Sequence, residues 1–241
     1  MSSPSPVVAM HEDRDGPLPP LLLTLTFVSG LVDAISFLKL GHVFVANMTG
    51  NIVFLGFALA GSLEVSAPAS LAALAAFLAG GIAAGRLASR TAQHRGRYLA
   101  VAILVKVLLV GMALVVAMTV TGPDNPVLSY ALIVLLALAM GVQSATARRL
   151  AVADLTTTVL TLTLTGLAAD STLAGGSNPR SARRLMATAA MLLGAAIGAY
   201  VVLHVGIVAA LALTLLVLLL NGVVSYRAAS STEGWTAGAY Q

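Results

Sequence analysis

A carboxylate and a cluster of amides stand where a lipid-spanning chain should carry only apolar side chains. Asp33 lies in the run GLVDAISFL (30–38), and Asn47, Thr49, Gly50 and Asn51 lie in VFVANMTGN (43–51). A charge within a membrane segment costs about 2.5–3.5 kcal/mol on insertion scales and marks a functional candidate by default. The chemistry open to Asp33 is binding of a proton, a cation or a cationic group, with hydrogen bonds from Asn47, Thr49 and Asn51. The alternative is a buried structural cluster that locks two helices together. Asp33 precedes the turn at Gly41-His42 by about seven residues, hence about 11 Å of helical rise. Ser29 and Ser36 share its face, and Asn47 and Asn51 share one on the returning segment.

Three further positions carry polarity at membrane depth. Lys106 is the charged residue of an otherwise apolar stretch (98–120), and could pair with Asp33 or snorkel to the interface. Gln143 lies in GVQSATARRL (141–150) and offers a second polar contact. The segment 155–169 holds six threonines, among them Thr158, Thr161 and Thr165 at i, i+3, i+7 spacing on one helical face. It reads either as an ordinary bent span or as a broken, re-entrant helix lining a polar cavity.

Other chemistries find no support. The chain has no cysteine, and His11, His42, His94 and His204 are scattered without ligand spacing, so neither a metal nor a cofactor is expected. Gly175 to Arg180 lacks the spacing and the Lys-Ser/Thr of a phosphate loop, and no G-x-S-x-G or H-E-x-x-H occurs. An enzyme is not expected. The pI near 9.9 comes from basic residues at segment ends rather than from a nucleic-acid surface.

The elements that must position these residues are helices in a bilayer. The 241 residues are 59% hydrophobic and 9% charged, with mean hydropathy +0.97. Soluble domains carry about 25% charged residues. The apolar runs are continuous rather than alternating, which excludes barrel strands. About eight are discernible: 17–40, 43–61, 68–88, 98–120, 127–147, 155–169, 185–203 and 205–226, several of them reaching the roughly 17–25 residues of a crossing. The last two are divided at His204-Val205-Gly206, because one helix of that length would be about twice too long. The expected architecture is an all-α polytopic bundle of residues 17–227 with six to eight crossings. Polar tails, 1–16 (disordered) and 228–241, flank it. No cleaved signal peptide is expected.

The two halves, about 17–120 and 127–226, echo each other. Gly30-Leu31-Val32-Asp33-Ala34 matches Gly141-Val142-Gln143-Ser144-Ala145, Asn47 to Asn51 matches Thr158 to Thr163, and Gly81 to Gly85 matches Gly194 to Gly198. Repeat-built membrane proteins are often carriers, with the site where polar interruptions of the two repeats meet at mid-membrane. Eight full crossings would put Arg180, Arg183 and Arg184 on the opposite side from Arg86, Arg90, Arg95 and Arg97, against the positive-inside bias; six or seven would not. If both polar segments are re-entrant, the halves become inverted repeats with cytoplasmic termini.

GLVDAISFL followed by VFVANMTGN, with the later GVQSATARRL and TTTVLTLTLTGL, resembles the bacterial YoaK family of multispan inner-membrane proteins of unknown function. The resemblance covers about residues 17–226. It implies inner-membrane location and a multi-pass architecture, and it points to Gly30, Asp33, Phe44, Asn47, Thr49, Gly50, Asn51, Gly141, Gln143 and Thr161. Members often carry Gly-Thr where this chain has Leu162-Thr163, which weakens the claim that backbone flexibility is needed there. The family supplies no activity. The residues themselves point to a transporter or channel-like carrier of a small solute or ion, proton-coupled through Asp33. The alternative is a non-transporting lipid-binding or assembly factor with a structural Asp33-Asn47-Asn51 cluster. The partners expected are the bilayer and an unidentified solute, with homo-oligomerisation left open and nucleic acid excluded.

Overall fold

A computed structural model describes residues 15–62, 64–91, 94–119, 125–158, 160–177, 180–230 and 234–236. The described residues form eight α-helices and no strands. They are α1 (Leu18–Lys39), α2 (Met48–Leu59), α3 (Ala67–Thr91), α4 (Arg95–Thr119), α5 (Pro126–Leu150), α6 (Thr161–Ala169), α7 (Ser181–His204) and α8 (Ile207–Ala228). Prolines open α1 and α5, where the missing N–H costs nothing. The break between α7 and α8 falls where it was expected, at Gly206 with φ 120°.

Six helices, α1, α3, α4, α5, α7 and α8, are long and apolar enough to cross a bilayer. With 12 and 9 residues, α2 and α6 are not. At 1.5 Å per residue they reach only about halfway through a hydrocarbon core of about 30 Å. Both belong to re-entrant segments. After α1 the chain turns back down until the N–H groups of Val45 and Ala46 meet Asp33, and α2 then climbs to the same face. The climb is visible in Phe54, which stacks on Phe44 at 5.7 Å and tilts against Phe37 at 6.3 Å. After α5 the chain likewise doubles back, bringing Thr158 to Ser144, before α6 returns towards the start of α7. The helix of segment six begins only at Thr161, so Thr158 does not share a helical face with Thr161 and Thr165.

The two halves are inverted repeats. A Cβ at Gly30 would lie 2.4 Å from the carbonyl oxygen of Met191, and one at Gly141 would lie 2.0 Å from that of Phe77. Gly194 and Gly80 meet Phe27 and Leu138 in the same reciprocal way. Thus α1 packs along α7 as α5 packs along α3, with backbones close enough that only glycine fits. The expected pairing of Gly81 with Gly194 is one residue out: Gly80 is the equivalent, while Gly81 and Gly85 have nothing within 4 Å of an added Cβ.

One face gathers the described arginines. Asp15 pairs with Arg95 and Arg183, and Arg95 donates to the carbonyls of Leu150 and Trp235, so the start of α1, α4 and α7 and the ends of α5 and α8 meet there. Arg86, Arg90, Arg97, Arg148, Arg149, Arg180, Arg184 and Arg227 lie at the same helix ends, and Lys39 lies at the opposite face. The positive-inside rule makes the arginine face cytoplasmic, with both ends of the described chain on it. Of the expected tails, residues 1–14, 231–233 and 237–241 lie outside the described residues. Trp235, in the expected C-terminal tail, is buried, and its ring occupies the space a side chain at Gly16 would need. Outward, Leu104, Leu108, Met112 and Val115 form the exposed stripe of α4 that lipid would cover.

Candidate functional site

The descending chain of the first re-entrant segment has no helical partners for its N–H groups, and lipid offers none. Asp33 and Asn51 supply them. Asp33, buried on α1, accepts the N–H of Val45 (3.1 Å) and Ala46 (2.7 Å) on one carboxylate oxygen. Asn51, the buried residue of α2, accepts the N–H of Phe44 (2.9 Å) and donates to its carbonyl (2.6 Å). Between these anchors lies the tip. Asn47 caps α2 by accepting the N–H of Gly50 at 3.4 Å. Gly50 is required because a Cβ there would come within 2.7 Å of the Phe44 ring.

The second tip is held from the opposite helices. The Ser29 hydroxyl lies 2.8 Å from the carbonyl oxygen of Thr157, and Gln143 donates to Ser29 Oγ (2.8 Å) and to the carbonyl of Leu25 (3.1 Å). Lys106, fully buried, donates through Nζ to Gln143 Oε1. The pairing of Lys106 with Asp33 therefore does not form: on α4 the lysine faces Gln143 of the antiparallel α5. Ser144, the repeat equivalent of Asp33, lies 3.4 Å from the Thr158 hydroxyl. At the cytoplasmic edge Arg184 brackets the whole segment, with Nε 3.1 Å from Asp154 and Nη1 2.7 Å from Asp170; Arg180 adds a 3.4 Å contact to Asp154. The guanidinium lies over Gly166, where a Cβ would come within 2.8 Å.

Two cavities flank the place where the tips meet. The first, about 570 Å³, is lined by Asn47, Thr49, Gly50, Thr158 and Thr161 with Phe44, Val53, Phe54, Leu160, Leu164 and Met191. The second, about 430 Å³, shares Asn47, Thr49 and Thr158 and adds Ser144, Thr156 and Arg148 among its walls. The structure thus brings together Asn47, Thr49, Gly50, Thr158 and Thr161 of the predicted residues. Asp33, Asn51, Gln143 and Lys106 line neither cavity; they hold the tips from behind. Sequence reasoning missed Ser29 as an anchor, Thr156 and Ser144 as wall residues, and the Arg184 clamp. The clamp had a signal: Asp154 and Asp170 bracket the threonine-rich segment, and a basic cluster follows. Hydroxyls and amides dominate the polar part of the walls, which suits hydrogen bonding to a solute rather than proton chemistry on it. Among the described residues no group of three or more His, Cys, Asp or Glu could hold a metal.

Six crossing helices, inverted repeats and two half-membrane helices meeting at a polar cavity define a multi-pass helical membrane protein. Residues 21–224 match a family described as a protein of unknown function (DUF1275), and the chain belongs to that family. It is also similar to the UPF0700 transmembrane protein YoaK of Bacillus subtilis (strain 168), with 34% identity over 150 residues. That match spans 62% of this chain and 65% of the relative. No solved structure matches.

Proposed function

We propose that the protein carries a small solute or ion across the membrane, and that the solute binds between the two re-entrant tips. The observation that supports this reading most is the first cavity: its polar wall comes from the tips and opening turns of two half-membrane helices at corresponding places in inverted repeats. Carriers built from inverted repeats place their sites at such broken helices near the midplane. The reading involves no catalysis and no cofactor.

Asp33 is reassigned within it. The carboxylate is committed to the Val45 and Ala46 N–H groups and sits outside both cavities, so it shapes the first tip rather than binding solute. That accepts the structural half of the alternative expectation, while the cavity between the tips retains the transport half.

The test is a solute-dependent thermal-shift screen on purified protein, since a ligand that binds only the folded state raises its stability by mass action. A stabilising solute should lose its effect in Thr158→Val. In Asp33→Asn the melting temperature should fall while the solute's increment persists. A ligand shift that survives Thr158→Val and vanishes in Asp33→Asn would return the site to Asp33.

A further inference from the structure

We infer that the solute is an uncharged, polyhydroxylated molecule, a small polyol, an inference that rests on the first cavity being the transport site. Three polar groups on its wall have no partner among the described residues. They are the hydroxyls of Thr49 and Thr161 and the amide nitrogen of Asn47, whose oxygen already accepts from Gly50. Thr158 adds a hydroxyl whose one contact is the 3.4 Å approach of Ser144. These groups stand at the tips of half-membrane helices, at a depth where lipid cannot satisfy them. A solute that binds here takes the place of water on them, which is without loss when it reproduces the same hydrogen bonds. Threonine hydroxyls both donate and accept, the amide nitrogen donates, and solute hydroxyls answer both.

Charge is what the first cavity does not offer. No charged side chain of either sign lines it; Arg148 belongs to the second cavity and stands in the last turn of α5, at the cytoplasmic end. An ion leaving water for this wall would find no opposite charge to offset its lost hydration. Its surroundings do not choose a sign either. The helix starts at the two tips favour an anion, and the Asp33 carboxylate behind Ala46 favours a cation. The rest of the wall is apolar and partly flat: Phe44 and Phe54 both line it, their rings stacked at 5.7 Å and 15°. A polyol carries its hydroxyls along a carbon chain, so one edge meets the threonines and the amide while the C–H edge packs on the rings.

The experiment uses the full-length protein reconstituted in phosphatidylcholine–phosphatidylethanolamine vesicles, with uptake of labelled probes followed at zero membrane potential. Erythritol and xylitol are the polyols, urea the neutral amide, nitrate the anion and methylammonium the cation. Erythritol or xylitol should enter faster than into empty vesicles, while nitrate and methylammonium enter at the empty-vesicle rate. Thr161→Val should reduce polyol flux by roughly five-fold, the worth of one hydrogen bond, and Thr161→Ser should restore it. If Thr161→Val does not fold, Thr49→Val takes its place. Flux of nitrate, methylammonium or urea that depends on Thr161, without polyol flux, would overturn the polyol and keep the transport site. Polyol flux indifferent to both valine variants would overturn the assignment to this cavity. Flux equal to empty vesicles for all five probes would overturn both the polyol and the carrier.

Discussion

The two re-entrant segments occupy equivalent places in the repeats and are held by opposite chemistries. The first is fastened at the outer face by a ring cluster of Phe37, Phe44, Phe54 and His42, with centroids 5.0–6.3 Å apart, and inwardly by Asp33 and Asn51. The second is fastened at the cytoplasmic face by Arg184 between two aspartates, and inwardly by neutral Ser29 and Gln143 backed by Lys106. Backbone strain is unevenly divided as well. The second segment puts Ala151, Asp154 and Thr157 at φ 52°, 63° and 63° within seven residues, whereas in the first His42 is the non-glycine at positive φ. For a β-branched threonine that conformation is an outlier costing about 1–2 kcal/mol. Duplication fixed the geometry of the half-helices but not what restrains them. The second segment is the more strained, and its restraint at the cytoplasmic face is ionic.

No expected effect is larger than loss of the ionic restraint. Arg184→Gln leaves Asp170 without its cation and Asp154 with Arg180 alone; with Asp170 half exposed to solvent the loss should be about 2 kcal/mol, seen as a lower melting temperature. Hydrogen exchange should show the loss in 151–170 and not in 43–59; equal loss in both would dissolve the contrast.

Next comes the frame that makes the segments equivalent. Gly80→Ala and Gly194→Ala each push a Cβ into a carbonyl, 2.2 and 2.0 Å away, and should each cost about 2 kcal/mol. Gly81→Ala should stay within about 0.5 kcal/mol. A severe Gly81→Ala with a benign Gly80→Ala in thermal melts would restore the register expected from sequence.

The smallest effect has the opposite sign. Thr157→Gly relieves left-handed strain and a buried unpaired hydroxyl, and should raise stability by about 1 kcal/mol. The same change at Ala46, its repeat equivalent with ordinary φ, should lower stability by about 0.5 kcal/mol in denaturant melts. A destabilised Thr157→Gly protein would mean the strain is not there.

Much of this was legible in the chain. Span lengths follow from hydropathy, the α7–α8 break from a glycine, and the tips from Asn47 to Asn51 and Thr158 to Thr161, because polar residues in lipid need a partner or a cavity. What Asp33 holds was not legible, since its acceptor geometry depends on how far the loop after α1 descends. The partner of Lys106 depends on the rotation of α4 against α5, and an almost uniformly apolar helix encodes that rotation weakly. The one-residue slip from Gly81 to Gly80 has the same origin: in AGGIAAG every register offers small residues, and packing alone selects among them. Arg184 was visible as a topology signal, and its pairing with two aspartates required the fold.

The reciprocal glycine contacts also bear on how the protein is made. Gly30 on α1 meets Met191 and Ala195 on α7, and Leu21 accepts from Asn221 on α8, so α1 leaves the ribosome well before these partners are made. Asp33 finds its Ala46 partner soon after α1 is made, but Ser29 waits for Gln143 on α5, and the glycine face of α1 waits longer still for α7. Synthesis proceeds at about 5–20 residues per second, so the interval lasts many seconds. During it α1 needs shelter from an insertase, or must enter the bilayer late, and truncation before α7 leaves a helix with nowhere to go.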